Sequence, residues 1–456
     1  VSRGGVNLTE GDVGRHLVRL TIPMFLGISS MIVAAMIDTI YIGWIGTVEL
    51  AAVSFTFPVV MALTTLPMGI GVGAASIIAR VMGAGDMAQV TRLSTDAMVL
   101  AGLLVIVGSV VVYPFVEPLF AFLGAGAEIL PLSVRYMQIW LLGLPMFAIP
   151  MVATTIMRAV GNARLPGILM SAGAGLQVLL APALIFGIPG LWNRIGFEGA
   201  AWGFVLSRSV TFVITAIFLT RMRLFVVDTR TIEKRIASWR EVLRIGVPSM
   251  MSNLVGPVSL AVTVALLAGH GPAVVAGFGV ASRIESLATM VLMALSSSTG
   301  PFVGQNWGAG LPDRIRRAQS LGYRFSHGWA LVAFIVLAGL GRTLVGWIND
   351  DPAVIDTTYH YLLILPMTYG FLGTGMVAGS TFVALGRPLQ PLVLAITRML
   401  VFYVPLALLL ERWLDYAGVF LAAAICNVLM GAIAFAWVRV FLADQIARLE
   451  PAAFRT

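Results

Sequence analysis

Apolar runs long enough to cross a bilayer recur along the whole chain, and no other feature narrows the choice of fold so far. A membrane-spanning helix needs about 20 predominantly apolar residues. Twelve such runs lie at 18–45, 50–78, 93–116, 131–158, 166–187, 198–221, 243–268, 273–303, 318–346, 355–385, 389–411 and 415–442. They are apolar on all sides rather than alternating. Backbone groups in lipid must be bonded within the segment or in a closed barrel, so these runs read as helices. The expected fold is an all-α integral membrane protein with twelve transmembrane helices. Charge agrees: 11% of residues are charged, against about 25% in soluble domains. The N-terminal stretch "VSRGGVNLTEGDVGRHLVRL" lacks the pattern of a cleavable signal, so the first span is expected to act as the insertion signal.

Orientation follows from arginine placement more than from the net charge of +8. With a cytoplasmic N-terminus, the inner side receives Arg3, Arg15, Arg19, Arg80, Arg92, Arg158, Arg164, Arg314, Arg316, Arg317, Arg387 and the cluster from Arg221 to Arg244, which includes Arg230. The outer side receives chiefly Arg194, Arg342 and Arg412, with Asp350, Asp351, Asp356 and Glu117. Both termini are therefore predicted to be cytoplasmic. The basic residues sit in short loops beside spans, where topology and anionic lipid account for them, and no nucleic-acid partner is expected. The single cysteine, Cys426, excludes an internal disulfide and reads as a small core residue. His16, His270, His327 and His360 show no metal-ligand spacing, and no metal or cofactor is expected.

The chain repeats itself. Pro23, Gly46, Gly83, Gly161 and Pro166 recur as Pro248, Gly271, Gly308, Gly386 and Pro391, each 225 residues later. Two six-helix halves are implied, and because each has an even number of spans the repeats are parallel. Residues 13–221 are expected to superpose on 238–446. The predicted divisions are an N-terminal lobe at 1–221, a cytoplasmic linker at 222–242 and a C-terminal lobe at 243–456. Such a duplicated bundle implies a central cleft that opens alternately to each side.

Within this oil-like sequence a few charges demand an explanation. Asp38 in "AAMIDTIYIGWIG" lies about 12 Å of helix from Gly46, at 1.5 Å per residue. That is too deep for its side chain to reach the interface. Gly27, Ser30, Ala34, Asp38 and Tyr41 form one helical stripe of small and polar residues, expected to face protein rather than lipid. A carboxylate at mid-membrane costs about 2.5–3.5 kcal/mol and persists where it pairs, hydrates or functions. Desolvation favours its neutral form, so proton exchange is the functional reading; structural bonding to a neighbouring helix is the other. Its repeat counterpart is Thr263. The second half carries Arg283 and Glu285 instead, two residues apart and hence on different faces. They either contribute charge to the central cleft or tie the eighth helix to its neighbours, and the residues alone leave both open. The "GAG" turns at 83–85 and 308–310 lack the strand and lysine of a phosphate loop and read as helix stops.

The run "MIDTIYIGWIGTVELAAVSFTFPV", the paired "GAG" turns, "RAVGNARLP" with "VALGRPLQP", and "RIESLATMVLMALSSSTGPFVGQNWGAG" together resemble the multidrug and toxic compound extrusion (MATE) transporters, in their prokaryotic DinF-like branch. The resemblance covers nearly the whole chain. It implies two six-helix lobes around a central cleft and export of organic cations against an inward proton or sodium flow. By motif, the coupling acid on the first helix corresponds to Asp38, a tyrosine on helix four to Tyr136 and an amide on helix five to Gln177. Some relatives carry an aspartate where this chain has Ala181, and a helix-six hydroxyl position corresponds to Phe204. A sodium site wants several oxygen ligands, so these departures favour the proton over sodium. Gly256 and Pro388 stand roughly where another branch has acids on helices seven and ten.

The expected function is therefore proton-coupled antiport of organic cations or other amphipathic compounds by alternating access, with sodium as the alternative ion. The expected setting is a monomer in a prokaryotic inner membrane, with the lipid bilayer and small amphipathic substrates as partners, and the chain is not expected to be an enzyme. The alternative is a lipid or lipid-linked oligosaccharide flippase of related architecture. An anionic carrier would need a basic cleft, and Arg283 is nearly the sole basic residue expected well inside a span.

Overall fold

The computed structural model describes residues 7–188, 190, 193–226, 232–348 and 350–453, with side chains described as far as 447. Arg3, Arg230 and the 227–231 part of the predicted linker lie outside the described residues. Among the described residues, twelve helices are long and apolar enough to cross a membrane. They are α1 Val13–Ile45, α2 Thr47–Gly83, α3 Met87–Phe122, α4 Leu130–Ala159, α5 Arg164–Phe186, α6 Glu198–Arg221, α7 Ile232–Ala268, α8 Pro272–Gly308, α9 Pro312–Gly346, α10 Pro352–Ala384, α11 Leu389–Leu414 and α12 Tyr416–Ala447. No strand forms among the described residues.

Local sequence sets the helix ends. α2 and α8 stop at Gly83 and Gly308, and two residues on Gly85 and Gly310 take φ of +87° and +69°. That left-handed conformation is the one glycine reaches without Cβ strain, so the "GAG" turns are helix stops. Asp86 and Asp351 cap α3 and α10 by accepting hydrogen bonds from Gln89 N at 2.8 Å and Ala353 N at 2.9 Å. Proline opens α8, α9 and α10, where a missing N–H costs nothing. Three helices are irregular inside, and the first of them, α3, passes through a 3-10 turn at Tyr113–Phe115. α10 tightens into a 3-10 turn at Pro366–Thr368, where proline supplies no donor. α11 widens into a π turn over Thr397–Tyr403.

The helices form two compact units, one built on Ile22–Met250 and the other on Leu8–Thr21 with the chain from Met251 onward. In both, the same pairs pack: α2 with α3 and α4, α3 with α4, and α6 with α4 and α5 in the first, and α8 through α12 in the matching pairs in the second. Leu8–Thr21, which include the first turns of α1, go with the second unit. There Arg314 donates to the carbonyls of Leu8, Glu10 and Gly11, and Leu8 N donates to Gln305 Oε1 at 3.2 Å. The first turns of α7 go with the first unit, where Trp239 Nε1 donates to the Asp96 carbonyl at 2.9 Å. Gly73 leaves room there for the backbone of Val242 and Gly246.

The repeat holds, but its offset is not constant. Along α3 and α9 the buried residues Val90, Leu93 and Ala97 match Ile315, Ala318 and Gly322, 225 positions on. Beyond the π turn the register changes. Gly199 of α6 sits so close to the backbone of Leu184 and Ile185 that a Cβ would collide, and Gly418 of α12 sits in the same way against Leu410 and Glu411. Leu184 thus matches Leu410, an offset of 226, while Gly199 matches Gly418, an offset of 219. The single offset expected over 13–221 and 238–446 therefore breaks twice: the π turn adds one residue to α11, and the connection into α12 is shorter than its counterpart into α6. In this register Asp38, Gln177 and Arg208 of the first unit correspond to Thr263, Tyr403 and Asn427 of the second.

Candidate functional site

The stripe read on α1 is the face that packs on α5. Gly27 lies against Gly167 and Met170, Ser30 Oγ donates to Ser171 Oγ at 3.0 Å, and Ala34 is buried. Tyr41 and Ile42 join a cluster with Ala181 and Ile185. The two helices run side by side in the same direction, which brings Asp38 level with Gln177. Asp38 Oδ2 accepts a hydrogen bond from Gln177 Nε2, and Gln177 Oε1 accepts one from Arg208 Nη2 of α6 at 2.8 Å. An amide offers a donor at one end and an acceptor at the other, so only this orientation joins a carboxylate to a guanidinium. Asp38, Gln177 and Arg208 thus form one chain across three helices.

Arg208 is held from its other side by aromatic rings. Its Cζ lies 5.3 Å from the Phe204 ring centroid and 5.5 Å from that of Phe147, and Phe204 is stacked on Trp140 at 5.2 Å. Gly173 supplies the space beside the guanidinium, since a Cβ added there would lie 3.4 Å from Nη1. Two polar atoms of the chain have no hydrogen bond: Asp38 Oδ1 and Arg208 Nε, both buried. A buried polar atom left unbonded costs about 1–3 kcal/mol. Asp38 Oδ1 is thus the open acceptor of the network, and Arg208 Nε its open donor.

Tyr136 makes no hydrogen bond to Asp38; its ring packs on Phe197 at 5.5 Å, at the edge of the cluster that holds Tyr41 and Ala181. Ala181 packs against Gly203, and Phe204, where a hydroxyl was sought, is the platform under Arg208. The sequence reading missed Arg208, and its statement that Arg283 was nearly the sole basic residue deep in a span is corrected: Arg208 in α6 and Arg398 in α11 lie inside spans too. The same argument from cost that singled out Asp38 would have found both.

In the second unit the polar residues are arranged differently. Thr263 and Tyr403 share a hydrogen bond at 2.6 Å. Asn427 does not reach Tyr403; its Oδ1 accepts from Arg398 Nη2 at 2.8 Å and its Nδ2 donates to Thr368 Oγ1, at the 3-10 turn of α10, at 3.0 Å. Glu285 Oε2 accepts from the Tyr361 hydroxyl, and the Tyr361 ring stands edge-on to Phe420 and Phe278. Arg283 is exposed, so the two charges do face different ways, as their spacing required.

Comparison with known proteins supplies the context. The MatE family model matches residues 23–183 and 248–409. The two matches are offset by 225 at their starts and 226 at their ends, in keeping with the residue gained at the π turn. The chain is 34% identical over 425 residues to the FAD transporter of Shewanella oneidensis, covering 93% of this chain and 94% of that one. It is 27% identical over 387 residues to the multidrug export protein MepA of Staphylococcus aureus, covering 81% and 82%. Among solved structures, the Vibrio cholerae MATE transporter VcmN in its bent form superposes with a TM-score of 0.89 at 27% identity, over 95% of this chain and 97% of that one. Twelve spanning helices, the duplicated six-helix unit and these matches place the chain in the MATE family of membrane transporters.

Proposed function

We propose that this transporter is a proton-coupled exporter of the DinF-like branch in which Asp38 carries the coupled proton. The observation that supports it is the open Oδ1 of Asp38, beside an Oδ2 already held by Gln177. In the charged form, the carboxylate is stabilised by the Gln177 donor and, through it, by Arg208. A proton on Oδ1 removes the charge that this chain serves, so α1 has less reason to stay against α5. Drug and proton must favour different states, or neither drives the other. The expected orientation places both termini in the cytoplasm of a prokaryotic cell, with the protein in its inner membrane. Ala181 and Phe204, at positions where oxygen ligands were sought, argue for the proton over sodium.

The test is drug-induced proton release from detergent-solubilised protein. Wild type should release protons on binding a cationic drug, and Asp38→Asn, which keeps the size and hydrogen bonds but cannot titrate, should release none. Undiminished release from folded Asp38→Asn would remove Asp38 from coupling.

A second reading concerns the substrate. The Shewanella oneidensis relative is named a FAD transporter, and an anionic flavin dinucleotide calls for basic and aromatic groups, which Arg208 with Phe204 and Phe147 offer. Counterflow of FAD against a cationic dye in proteoliposomes separates the two substrate classes.

A further inference from the structure

A cavity of about 650 Å³ opens in the second unit between the first turns of α9 and the last turns of α12. Arg316, Arg324 and Arg439 line it, with Tyr323, Gln319 and Phe435. All three arginines are exposed. Arg316 has an ion pair with Asp313 at 3.4 Å, and no carboxylate pairs with Arg324 or Arg439 among the described residues. The Tyr323 ring stands edge-on to Phe435 at 5.3 Å, while its hydroxyl oxygen is buried with no hydrogen-bond partner. Three guanidinium groups, two of them with no carboxylate partner among the described residues, line one space flanked by apolar helix surface.

In the other copy of the repeat the matching groove is filled. It lies in the first unit between α3 and α6, and there the chain following α6 occupies it. Thr91 Oγ1 donates to the Arg223 carbonyl at 3.0 Å, Val226 N donates to Thr95 Oγ1 at 3.1 Å, and Leu224 is buried. The matching stretch of α12 continues as helix and leaves the groove open. The arginines replace uncharged residues: in the registers established above, Arg316, Arg324 and Arg439 stand where the first unit has Thr91, Val99 and Thr220. At these three positions the open groove carries positive charge and the closed one carries none.

We propose that this cavity binds the phosphate-bearing headgroup of an anionic phospholipid. Guanidinium groups match phosphate oxygens bidentately, and basic pockets between spanning helices suit such headgroups. The acyl chains would lie along the exposed apolar side chains nearby, such as Phe325 and Val440.

The experiment is native mass spectrometry of the full chain, delipidated and then offered phosphatidylglycerol or phosphatidylcholine. Wild type should retain phosphatidylglycerol. The triple variant Arg316→Gln, Arg324→Gln, Arg439→Gln should lose it by roughly a hundredfold, from about fivefold per arginine. Phosphatidylcholine retention and the control Arg283→Gln should be unchanged. Because all three side chains are exposed, the variant should fold, and Arg439→Gln alone gives a single-site check with a smaller loss of about fivefold. Equal phosphatidylglycerol retention by wild type and the triple variant would overturn the proposal. So would inorganic phosphate at millimolar concentration binding to wild type in place of lipid, which would assign the cavity to a free anion.

Discussion

The two units share helix order, packing partners and buried positions, yet at one equivalent place they hold opposite kinds of chemistry. In the first, Asp38, Gln177 and Arg208 run as acid, amide and guanidinium. In the second, the corresponding residues are Thr263, Tyr403 and Asn427, all uncharged, and the first two share a simple hydroxyl contact. Opposite charges linked by an amide respond to a proton; a threonine and a tyrosine at 2.6 Å do not. Duplication supplied the frame twice, while charged side chains at this position stand in one copy alone. The second copy places its own charges inside spans, Glu285 and Arg398, at positions with no charged counterpart in the first.

The sharpest way to break this comparison is to remove the hydrogen-bonding or ionising group from each site in turn. Asp38→Asn should reduce efflux driven by a pH gradient on the order of a hundredfold, the upper range of coupling free energies. Thr263→Val should leave it within about twofold. Comparable losses in proteoliposomes would mean that both sites couple. A middle-sized effect is expected on stability. Gln177→Leu strands both the Asp38 carboxylate and the Arg208 guanidinium, at a cost of about 3–5 kcal/mol, whereas Tyr403→Phe gives up one neutral hydrogen bond, about 1 kcal/mol. Thermal unfolding in detergent should therefore show a much larger shift for Gln177→Leu, and equal shifts would contradict the hydrogen-bonded chain. The smallest effect is assigned to Glu285→Gln. The amide oxygen still accepts from Tyr361, so pH-driven efflux should fall by less than about threefold. A loss as deep as that of Asp38→Asn would move coupling into the second unit.

Much of this was legible beforehand because lipid imposes simple rules. Continuous apolar runs gave the twelve spans, and the cost of a buried charge singled out Asp38 before any neighbour was visible. The α1 stripe was readable from spacing alone, since helical periodicity decides which side chains share a face. What stayed hidden depended on register between distant segments. Arg208 is hydrogen-bonded to Gln177, the partner of Asp38, and neither spacing nor motif joins α6 to α1. The correspondence of Gln177 with Tyr403 was out of reach as well, because a constant offset of 225 pairs it with Phe402.

The π turn of α11 also bears on how such a molecule can change over generations. Adding one codon to most helices would rotate everything beyond it by about 100° and turn core residues toward lipid. Here the added residue is absorbed within Thr397–Tyr403, and the tight approach of Gly418 to Leu410 matches that of Gly199 to Leu184. A duplicated gene can in this way lengthen one copy without disturbing what lies downstream. It brings a new side chain, Tyr403, to a position the older register would have given to its neighbour, and this is a route to new chemistry that point substitution alone does not offer.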